Sequence, residues 1–344
     1  MARLTRRAFV ATSGAIAAAP ALTLLTPQAA QAQGRGAPPD TGNLKVDKDI
    51  VFGKGGTMDL TLDVYRPPDG VTSKRTAIIH LFGGGFTSGS KTAGYIINDA
   101  KALGARGYTS VSANYRLQSQ GSWPAQIHDV KAAIRWTRAN AARIGVEANR
   151  IVIAGYSAGG MLSLLAAGTN GKPEFEGEVG TPGVSSDVNA SIGVYPLASA
   201  QIAQGLFPQG QATPENIAAA SPTTYISKSF APTIFIHGTN DTTIPVQSSI
   251  DFFTKLHALG VPSTMTLIQG AAHAFDNAAL DAVDVMAHSI DLFLDRLLVN
   301  PKPYPSFGGG GGRGGGRGGG RGPGGPGAPA PGAPAPGAAA PGGR

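Results

Sequence analysis

Ser157 is the central residue of a five-residue run, Gly155-Tyr156-Ser157-Ala158-Gly159, which has glycine at both ends. The run follows the apolar segment Ile151–Ala154 and precedes a helical pattern over Met161–Ala167. A serine at such a strand–turn–helix junction projects its hydroxyl clear of the sheet, at a helix N-terminus that favours a developing negative charge. The pattern therefore predicts that Ser157 is a nucleophile for acyl transfer. The alternative is a glycine-rich turn without chemistry.

Three consecutive glycines, Gly83 to Gly85, follow the apolar segment Ala77–Leu81. Glycine allows the backbone to bend tightly and to present its N–H groups to a bound molecule. We therefore predict an oxyanion hole that is formed by the N–H groups of Gly84, Gly85 and Ala158. A phosphate-binding loop is disfavoured, because neither a Lys-Ser/Thr pair nor a G-x-G-x-x-G helix start with an acidic partner accompanies these glycines.

His273 lies in a loop between the apolar segment Ser263–Ile268 and the final helical pattern. Loops at the carboxyl ends of parallel strands form the active edge of such sheets, and sheets with this type of serine turn carry the acid before the histidine along the chain. His273 is therefore the predicted general base. Structural or surface roles are predicted for four other histidines: His80, His237, His257 and His288.

Asp241 follows the apolar segment Thr233–Ile236, one strand–helix–strand unit before His273. A carboxylate there would accept the second ring N–H of His273 and stabilise the imidazolium that forms in the transition state. Asp241 is therefore the predicted acid, against the alternative of a turn or helix cap. Asp276 is a rival, although its position three residues after His273 suits a cap of the final helix better.

Apolar and helical segments alternate along the middle of the chain and must position these side chains. The predicted strands are near-continuously hydrophobic, as in a parallel sheet covered on both faces: Ala77–Phe82, Tyr108–Ala113, Ile151–Ala154, Ile192–Tyr195, Thr233–Ile236 and Ser263–Ile268. Alternating hydrophobicity over Met58–Arg66 predicts an antiparallel edge hairpin. Helices are predicted over Pro124–Arg143, Met161–Ala167, Ser248–Ala258 and Ala278–Leu298. This alternation implies right-handed βαβ units and a doubly wound α/β sheet. A supporting ion pair of Asp129 with Arg116 is expected beneath the glycine loop.

The formal net charge of +7 comes from arginines at the two ends, so residues 41–307 are formally neutral. A neutral domain gives no electrostatic reason to expect a nucleic acid partner. The absence of cysteine excludes disulfides, a thiol nucleophile and thiolate metal sites. Because no metal-ligand spacing such as H-E-x-x-H occurs either, no metal or other cofactor is predicted.

The N-terminus predicts export. Thr5–Val10 contains a twin-arginine motif, a weakly hydrophobic run follows, and Ala30-Gln31-Ala32 is a small-x-small cleavage site. We therefore predict a signal peptide over residues 1–32, a linker over 33–42, and transfer by the twin-arginine export machinery to the periplasm or the medium. An uncut membrane anchor is the alternative.

The C-terminal residues 307–344 are rich in Gly, Arg, Pro and Ala, a composition that predicts a disordered tail. A passive spacer or a loose contact with an anionic wall or membrane surface is expected; RNA binding is disfavoured for an exported protein. The catalytic domain is predicted over 43–306. Its polar, Ala-rich stretch over 198–228 is a candidate small cap insertion over a pocket.

Together these residues resemble the α/β-hydrolase superfamily. Within it, they are most similar to the small esterases grouped with hormone-sensitive-lipase-like enzymes and with the bacterial feruloyl-esterase-like group. The resemblance covers about Met58 to Leu298, and its anchors are Gly83–Phe86, Asn114–Leu117, Pro124–Trp136, Gly155–Gly160, His237–Asp241 and His273–Phe275. It implies the α/β-hydrolase fold, with a mostly parallel doubly wound sheet and helices on both faces, and a triad of Ser157, Asp241 and His273.

Three departures from the family pattern bear on substrate. Phe82 occupies the slot where the glycine loop usually begins with His, so the contacts that brace this loop must come from elsewhere. Tyr156 precedes the nucleophile where hormone-sensitive-lipase-like members usually have Asp. The residues between Thr41 and Lys74 are too few for the helical N-terminal cap of that group. The last two points favour the feruloyl-esterase-like side and a rather open pocket, with Phe86 and Tyr156 as candidate substrate-binding side chains.

The predicted function is hydrolysis of carboxylic esters, of short-chain acyl groups or of acetyl or feruloyl groups on polysaccharide, through an acyl-enzyme. A prolyl-oligopeptidase-like serine peptidase is one alternative, because those enzymes share the serine turn and the order of the triad. A non-catalytic wall-binding α/β scaffold is the other.

Overall fold

A computed structural model describes residues 40–303 except residue 278. The signal peptide, most of the linker and the tail lie outside these residues. Residues 40–302 belong to one compact unit. No helix within the described part of the chain combines the length and the apolar character that a membrane crossing requires.

Eight strands form one sheet, and seven of them run in the same direction. They are β1 (Lys45–Gly55), β2 (Met58–Arg66), β3 (Ala77–Leu81), β4 (Thr109–Ala113), β5 (Ile151–Tyr156), β6 (Ala190–Val194), β7 (Thr233–Gly238) and β8 (Ser263–Ile268). Their order is β1-β2-β4-β3-β5-β6-β7-β8. β2 is antiparallel to β1 and β4, and all other pairs are parallel. This is the predicted α/β-hydrolase fold class.

Helices connect the parallel strands: α1 (Gly94–Gly104), α2 (Ala125–Ala139), α3 (Ala141–Ile144), α4 (Ala158–Gly168), α5 (Pro214–Ala220), α6 (Gln247–Ala258) and α7 (Leu280–Leu294), which continues into a π-helical turn over Asp295–Val299. The crossover from β3 to β4 runs in one direction along the sheet, and the crossover from β4 to β5 runs back. Because both are right-handed, α1 and α2 cover opposite faces. α1 packs with α7, and α2 packs with α4.

The reversal of direction at β3 creates the crevice in which ligands bind to such sheets, outside the carboxyl ends of the strands. Every residue of β3, β5 and β6 is buried, which explains their continuous hydrophobicity. The loops that leave β3, β5, β7 and β8 therefore meet at one edge of a rigid sheet. These loops contain the glycine run, Ser157, Asp241 and His273.

Candidate active site

The turn between β5 and α4 holds Ser157 in an unusual backbone conformation, with φ 54° and ψ −116°. Positive φ values are rare for residues other than glycine and indicate local strain. The flanking glycines allow the tight approach: a Cβ atom at Gly155 would lie 2.0 Å from the carbonyl oxygen of Gly159, and one at Gly159 would lie 2.2 Å from that of Leu81. The turn thus needs glycine at both ends, and it leaves Ser157 half-buried at the edge of the sheet.

The side chains of Ser157, His273 and Asp241 form a continuous hydrogen-bonded chain. His273 Nε2 lies 3.0 Å from Ser157 Oγ, and His273 Nδ1 lies 2.7 Å from Asp241 Oδ2. Since an ionised carboxylate can only accept, Nδ1 carries the hydrogen and Nε2 is free to accept the serine proton. The structure therefore brings together the three residues that the sequence singled out, across 116 residues of chain between Ser157 and His273.

Asp241 is fully enclosed and accepts hydrogen bonds through both oxygens. Oδ1 accepts from the amides of Thr243 and Ile244 at 2.9 and 2.8 Å. Oδ2 lies 3.2 Å from Nε2 of His237. Burial alone would raise the pKa of Asp241, but hydrogen bonds from His237, His273 and the amide of Ile244 outweigh it and hold this pKa well below its usual value. The carboxylate is therefore ionised at every pH at which a histidine titrates.

His237 supports the acid in a way that the sequence did not indicate. Its ring is buried, with Nε2 2.9 Å from the carbonyl oxygen of Ile244 and Nδ1 2.8 Å from the hydroxyl of Ser249. A carbonyl only accepts, so Nε2 carries the hydrogen and also faces Asp241. The prediction of a hydrogen-bonded structural histidine is confirmed, and the contact with Asp241 adds a positioning role.

The glycine loop after β3 presents free N–H groups to the same edge. Gly84 and Gly85 have φ values of 120° and 62° and are exposed. Among the described residues, no hydrogen-bond acceptor is found for the N–H group of either, whereas the N–H of Gly83 donates to the hydroxyl of Tyr95 at 2.8 Å. Ala158 is the first residue of α4, where backbone N–H groups lack partners within the helix. These are the features that an oxyanion hole requires.

The ring of Tyr115 braces the loop in the absence of the usual histidine. Phe82 stacks on Tyr115, with ring centroids 4.2 Å apart and an angle of 7° between the planes. The Tyr115 hydroxyl donates to the carbonyl of Phe82 at 2.8 Å, and the N–H of Gln118 donates to the carbonyl of Phe86 at 2.9 Å. The segment after β4 therefore holds both ends of the glycine run.

Two basic side chains, Lys91 and Arg116, form ion pairs that anchor the segments flanking the loop. Lys91, five residues after Phe86, is buried and donates to Asp63 at 2.5 Å and to Asp49 at 2.8 Å. Arg116 forms the predicted pair with Asp129, with two guanidinium contacts of 2.8 and 2.7 Å and a backbone N–H contact of 2.9 Å. Removing one partner of a buried pair is strongly destabilising. The pairs of Lys91 with Asp63 and of Arg116 with Asp129 therefore fix the backbone segments beside the loop.

The stretch over 198–228 contains short 3₁₀ turns and α5, and its first part lies beside the glycine loop. The side chain of Gln118 donates to the carbonyl of Phe207 at 3.2 Å. A Cβ atom at Gly205 would lie 2.0 Å from the carbonyl oxygen of Gly85. The insertion therefore forms a wall in direct contact with the backbone that carries the free N–H groups.

Gly205→Ala is expected to lower kcat about 10²-fold. The added methyl group would push the carbonyl of Gly85 away, and a displacement of about 1 Å in reacting geometry has an effect of this size. Steady-state kinetics with p-nitrophenyl acetate measures it. Gly94→Ala is the matched control, because a Cβ atom there meets nothing within 4 Å. Equal kinetics for both variants would show that the wall does not set the position of the loop.

The structure places Phe86 and Tyr156, the predicted substrate-binding side chains, away from the surface. Phe86 is fully buried and tilts against Tyr115. Tyr156 is 2% exposed, and its hydroxyl contacts Asp99 and lies 3.0 Å from Nδ1 of His80. Both side chains therefore pack beneath the loop and the serine turn and do not line a pocket.

The remaining histidines and the rival acid have other partners. Burial lowers the pKa of His80 to about 3, and its ring bonds to Tyr156 and Ser110. His257 and His288 are exposed, as predicted. Asp276 is buried and accepts from Tyr195 at 2.6 Å, so it lies behind the base and not at Nδ1. Within the described residues, no group of three or more His, Asp or Glu is arranged to hold a metal ion.

Comparison with known proteins gives a consistent assignment. A family model described as BD-FAE matches residues 62–256, which contain the glycine loop, the serine turn and Asp241. The chain is similar to Esterase LipC of Mycobacterium tuberculosis, with 32% identity over 69% of this chain and 62% of LipC. It spans less than two thirds of the length of the curated mycobacterial relatives that it matches.

Two solved structures share the fold. A thermophilic esterase of the Planctomycetes species Thermogutta terrifontis, with propionate bound, is 30% identical with a TM-score of 0.63, over 77% of this chain and 99% of that chain. A truncated carbohydrate esterase from gut microbiota is 25% identical with a TM-score of 0.61, over 76% of this chain and 99% of that chain.

Proposed function

We propose that this chain, which belongs to the BD-FAE family of α/β-hydrolases, hydrolyses carboxylic esters through an acyl-enzyme on Ser157. The observation that carries the proposal is the hydrogen-bonded chain from Asp241 through His273 to Ser157, with distances of 2.7 and 3.0 Å. Its end faces the glycine loop, in which the N–H groups of Gly84 and Gly85 have no acceptor among the described residues. Nucleophile, base, orienting acid and anion site thus lie within one crevice.

The mechanism follows from the donor and acceptor roles in this chain. His273 Nε2 takes the proton of Ser157 as Oγ attacks the ester carbonyl, and Asp241 stabilises the imidazolium that results. The N–H groups of Gly84, Gly85 and Ala158 bind the oxyanion of the tetrahedral intermediate. As the C–O bond breaks, His273 returns its proton to the leaving alcohol. Water then repeats the sequence on the acyl-enzyme, releasing the acid and restoring Ser157.

The wall of the site supports neutral esters as substrates. Residues 197–213, which include the part of the insertion beside the glycine loop, contain no charged side chain. Three glutamines there are exposed, Gln201, Gln209 and Gln211, and Ile202 is 56% exposed. Amide groups hydrogen-bond to hydroxyls, and an apolar side chain accepts a short acyl chain or an aromatic acid. We therefore propose two classes of substrate: short-chain soluble esters, and acetyl or feruloyl esters on neutral polysaccharide.

A substrate panel distinguishes the proposed esterase from its two alternatives, a serine peptidase and a non-catalytic binding scaffold. Purified protein is assayed with p-nitrophenyl acetate, butyrate and octanoate, with acetylated xylan, with methyl ferulate and with aminoacyl p-nitroanilides. Turnover of esters without anilides supports the esterase. Preferential cleavage of the anilides would instead establish the peptidase, and folded protein that turns over nothing and does not react with a fluorophosphonate would establish the binding scaffold.

Export by the twin-arginine machinery belongs to the same proposal, although the signal residues and the tail lie outside the described residues. It rests on the motif Thr5–Val10 and the site Ala30-Gln31-Ala32. An Arg6→Lys, Arg7→Lys double variant is expected to remain in the cytoplasm with its N-terminus uncut, while the wild-type chain is recovered outside it. Equal distribution of both proteins between cell fractions would contradict export. Partition of a chain truncated after Lys302 tests the proposed surface contact of the tail.

A further inference from the structure

A cluster of polar side chains lies directly behind the site and takes no part in the proposed reaction. Its members are Tyr95 and Asp99 on α1, Tyr156 at the end of β5, Tyr195 after β6, and Asp276 in the turn that follows the base. Asp99 and Asp276 are 2% and 0% exposed. One oxygen of each, Oδ1 of Asp99 and Oδ2 of Asp276, has no hydrogen-bond partner in the described part of the chain. Buried polar groups without partners are rare and call for an explanation.

Tyr195 joins Asp276 to the imidazole of His273. Its hydroxyl donates to Oδ1 of Asp276 at 2.6 Å. Its ring meets that of His273 edge-on, with centroids 4.7 Å apart and an angle of 60° between the planes. Because Asp276 follows His273 by three residues, this hydrogen bond anchors the turn that carries His273 to the segment after β6. His273 is thus held at Nδ1 by Asp241 and from behind by Tyr195.

The surroundings of the two carboxyl groups favour different charge states. Burial raises the pKa of Asp276 to about 6, against the opposing effects of the hydrogen bond from Tyr195 and of His273. Burial raises the pKa of Asp99 well above its usual value, and the negative charge of Asp276 adds to this. The surroundings therefore favour the neutral form of Asp99, whereas the hydrogen bond from Tyr195 and the nearby His273 favour the charged form of Asp276. A charged Asp276 would attract the proton-bearing ring that forms when His273 takes the proton of Ser157.

We propose that Asp276 is a second positioning residue for the base: through Tyr195 it holds the imidazole of His273 against Ser157, and its carboxylate stabilises the charged ring from behind. The proposal rests on the proposed function, since it assigns Asp276 a role in the same acyl transfer. The proposal gives a role to a carboxyl group that lies in an enclosed position. It also distinguishes Asp276, which acts through Tyr195, from Asp241, which accepts a hydrogen bond directly from Nδ1 of His273.

Titratable side chains from several elements surround the carboxyl group of Asp276. They are His273 on its own turn, Tyr195 after β6, Tyr156 at the end of β5, and Tyr95 and Asp99 on α1. On α7, the nearest ionisable side chains, Asp281 and Asp284, are exposed. Burial raises the pKa of each of the three tyrosines, so they stay neutral, and His273 is the group of opposite charge that Asp276 meets.

Asp276→Asn is the decisive variant, because the amide oxygen still accepts from Tyr195 while the charge is lost. We expect kcat to fall about tenfold with KM unchanged, and the acid limb of the kcat/KM profile to move to lower pH. Tyr195→Phe removes only the hydroxyl that donates to Asp276, and the loss of this hydrogen bond destabilises the carboxylate. We therefore expect kcat to fall and the acid limb to move to lower pH, both by less than in Asp276→Asn. Both are measured from pH 4 to 9 with p-nitrophenyl acetate, beside thermal unfolding.

Asp99→Asn is the matched control, since it alters a buried carboxyl of the same cluster that accepts from Tyr156 and not from Tyr195; its acid limb should stay in place. An unchanged kcat and pH profile in Asp276→Asn would overturn the proposal, and so would an equal shift of the limb in Asp99→Asn. If Asp276→Asn does not fold, Tyr195→Phe decides by the same criteria. Failure of the proposed function is seen separately, as wild-type protein that a fluorophosphonate does not label.

Discussion

Replacing Ser157 by alanine is expected to lower kcat for ester hydrolysis by about 10⁶-fold, the order found when the serine of a comparable triad is removed. The variant loses the only atom that can form the acyl-enzyme and keeps the free N–H groups of the loop. Its fold should persist, because alanine retains the Cβ atom and the hydroxyl makes one side-chain hydrogen bond among the described residues, to His273. Kinetics with p-nitrophenyl acetate and labelling by a fluorophosphonate measure the loss.

Ser229→Ala serves as the control, because Ser229 is exposed and, within the described part of the chain, the only side-chain hydrogen bond of Ser229 is to Ser227. Both variants should unfold cooperatively near the wild-type temperature. Retention of labelling by Ser157→Ala would place the reactive hydroxyl on another residue and would end the proposed mechanism. Loss of labelling in Ser229→Ala would show that the assay reports folding and not chemistry.

Asp241→Asn should lower kcat by about 10⁴-fold while KM changes little. The new amide can keep its oxygen on the N–H groups of Thr243 and Ile244, so its nitrogen must face His273. Two donors then meet at Nδ1, and the imidazole adopts the tautomer that carries hydrogen on Nε2. That tautomer cannot accept the proton of Ser157, so the nucleophile is not activated.

The same substitution at Asp276 provides the comparison, with an expected loss near tenfold. Because the pKa of Asp241 is held well below its usual value, this carboxylate stays ionised across the assay range and should contribute no limb of its own to the wild-type pH profile. A larger loss in Asp276→Asn than in Asp241→Asn would reverse the two assignments. Circular dichroism spectra that match wild type show that the comparison is between folded proteins.

The meeting of the serine turn, the predicted base and the predicted acid at one edge of the sheet was predictable, because each follows a strong strand signal at a fixed place in the chain order. Ser157, Asp241 and His273 come directly after apolar strands or in the last loop, and parallel strands bring such loops to one edge. The bounds of β8, Ser263–Ile268, were predicted to the residue. Here local pattern and tertiary arrangement agree, so little beyond the sequence was needed.

The contacts behind the site could not be predicted, since they depend on helix α1, which the sequence reasoning missed. Ile96, Ala100 and Leu103 recur at helical spacing, but the segment begins with Gly94 and has neither a capping side chain nor an acidic residue in its first turn, so no start signal marks the helix. Without α1, nothing indicates that Tyr156 turns towards Asp99 instead of the substrate. The stack of Phe82 on Tyr115 is likewise a long-range contact. Phe82 stands where the glycine loop usually begins with His, and the sequence alone does not show that Tyr115 supplies the contacts that brace the loop.

The backbone at Ser157, with its positive φ, has a consequence for how this protein changes over time. A residue other than glycine in such a conformation raises the energy of the native state by roughly 1–3 kcal/mol, a sizeable fraction of the marginal stability of a domain. Selection for thermal resistance alone would therefore reward glycine at this position and discard the activity. Serine at this strained point of the turn is what the proposed role of Ser157 as nucleophile requires.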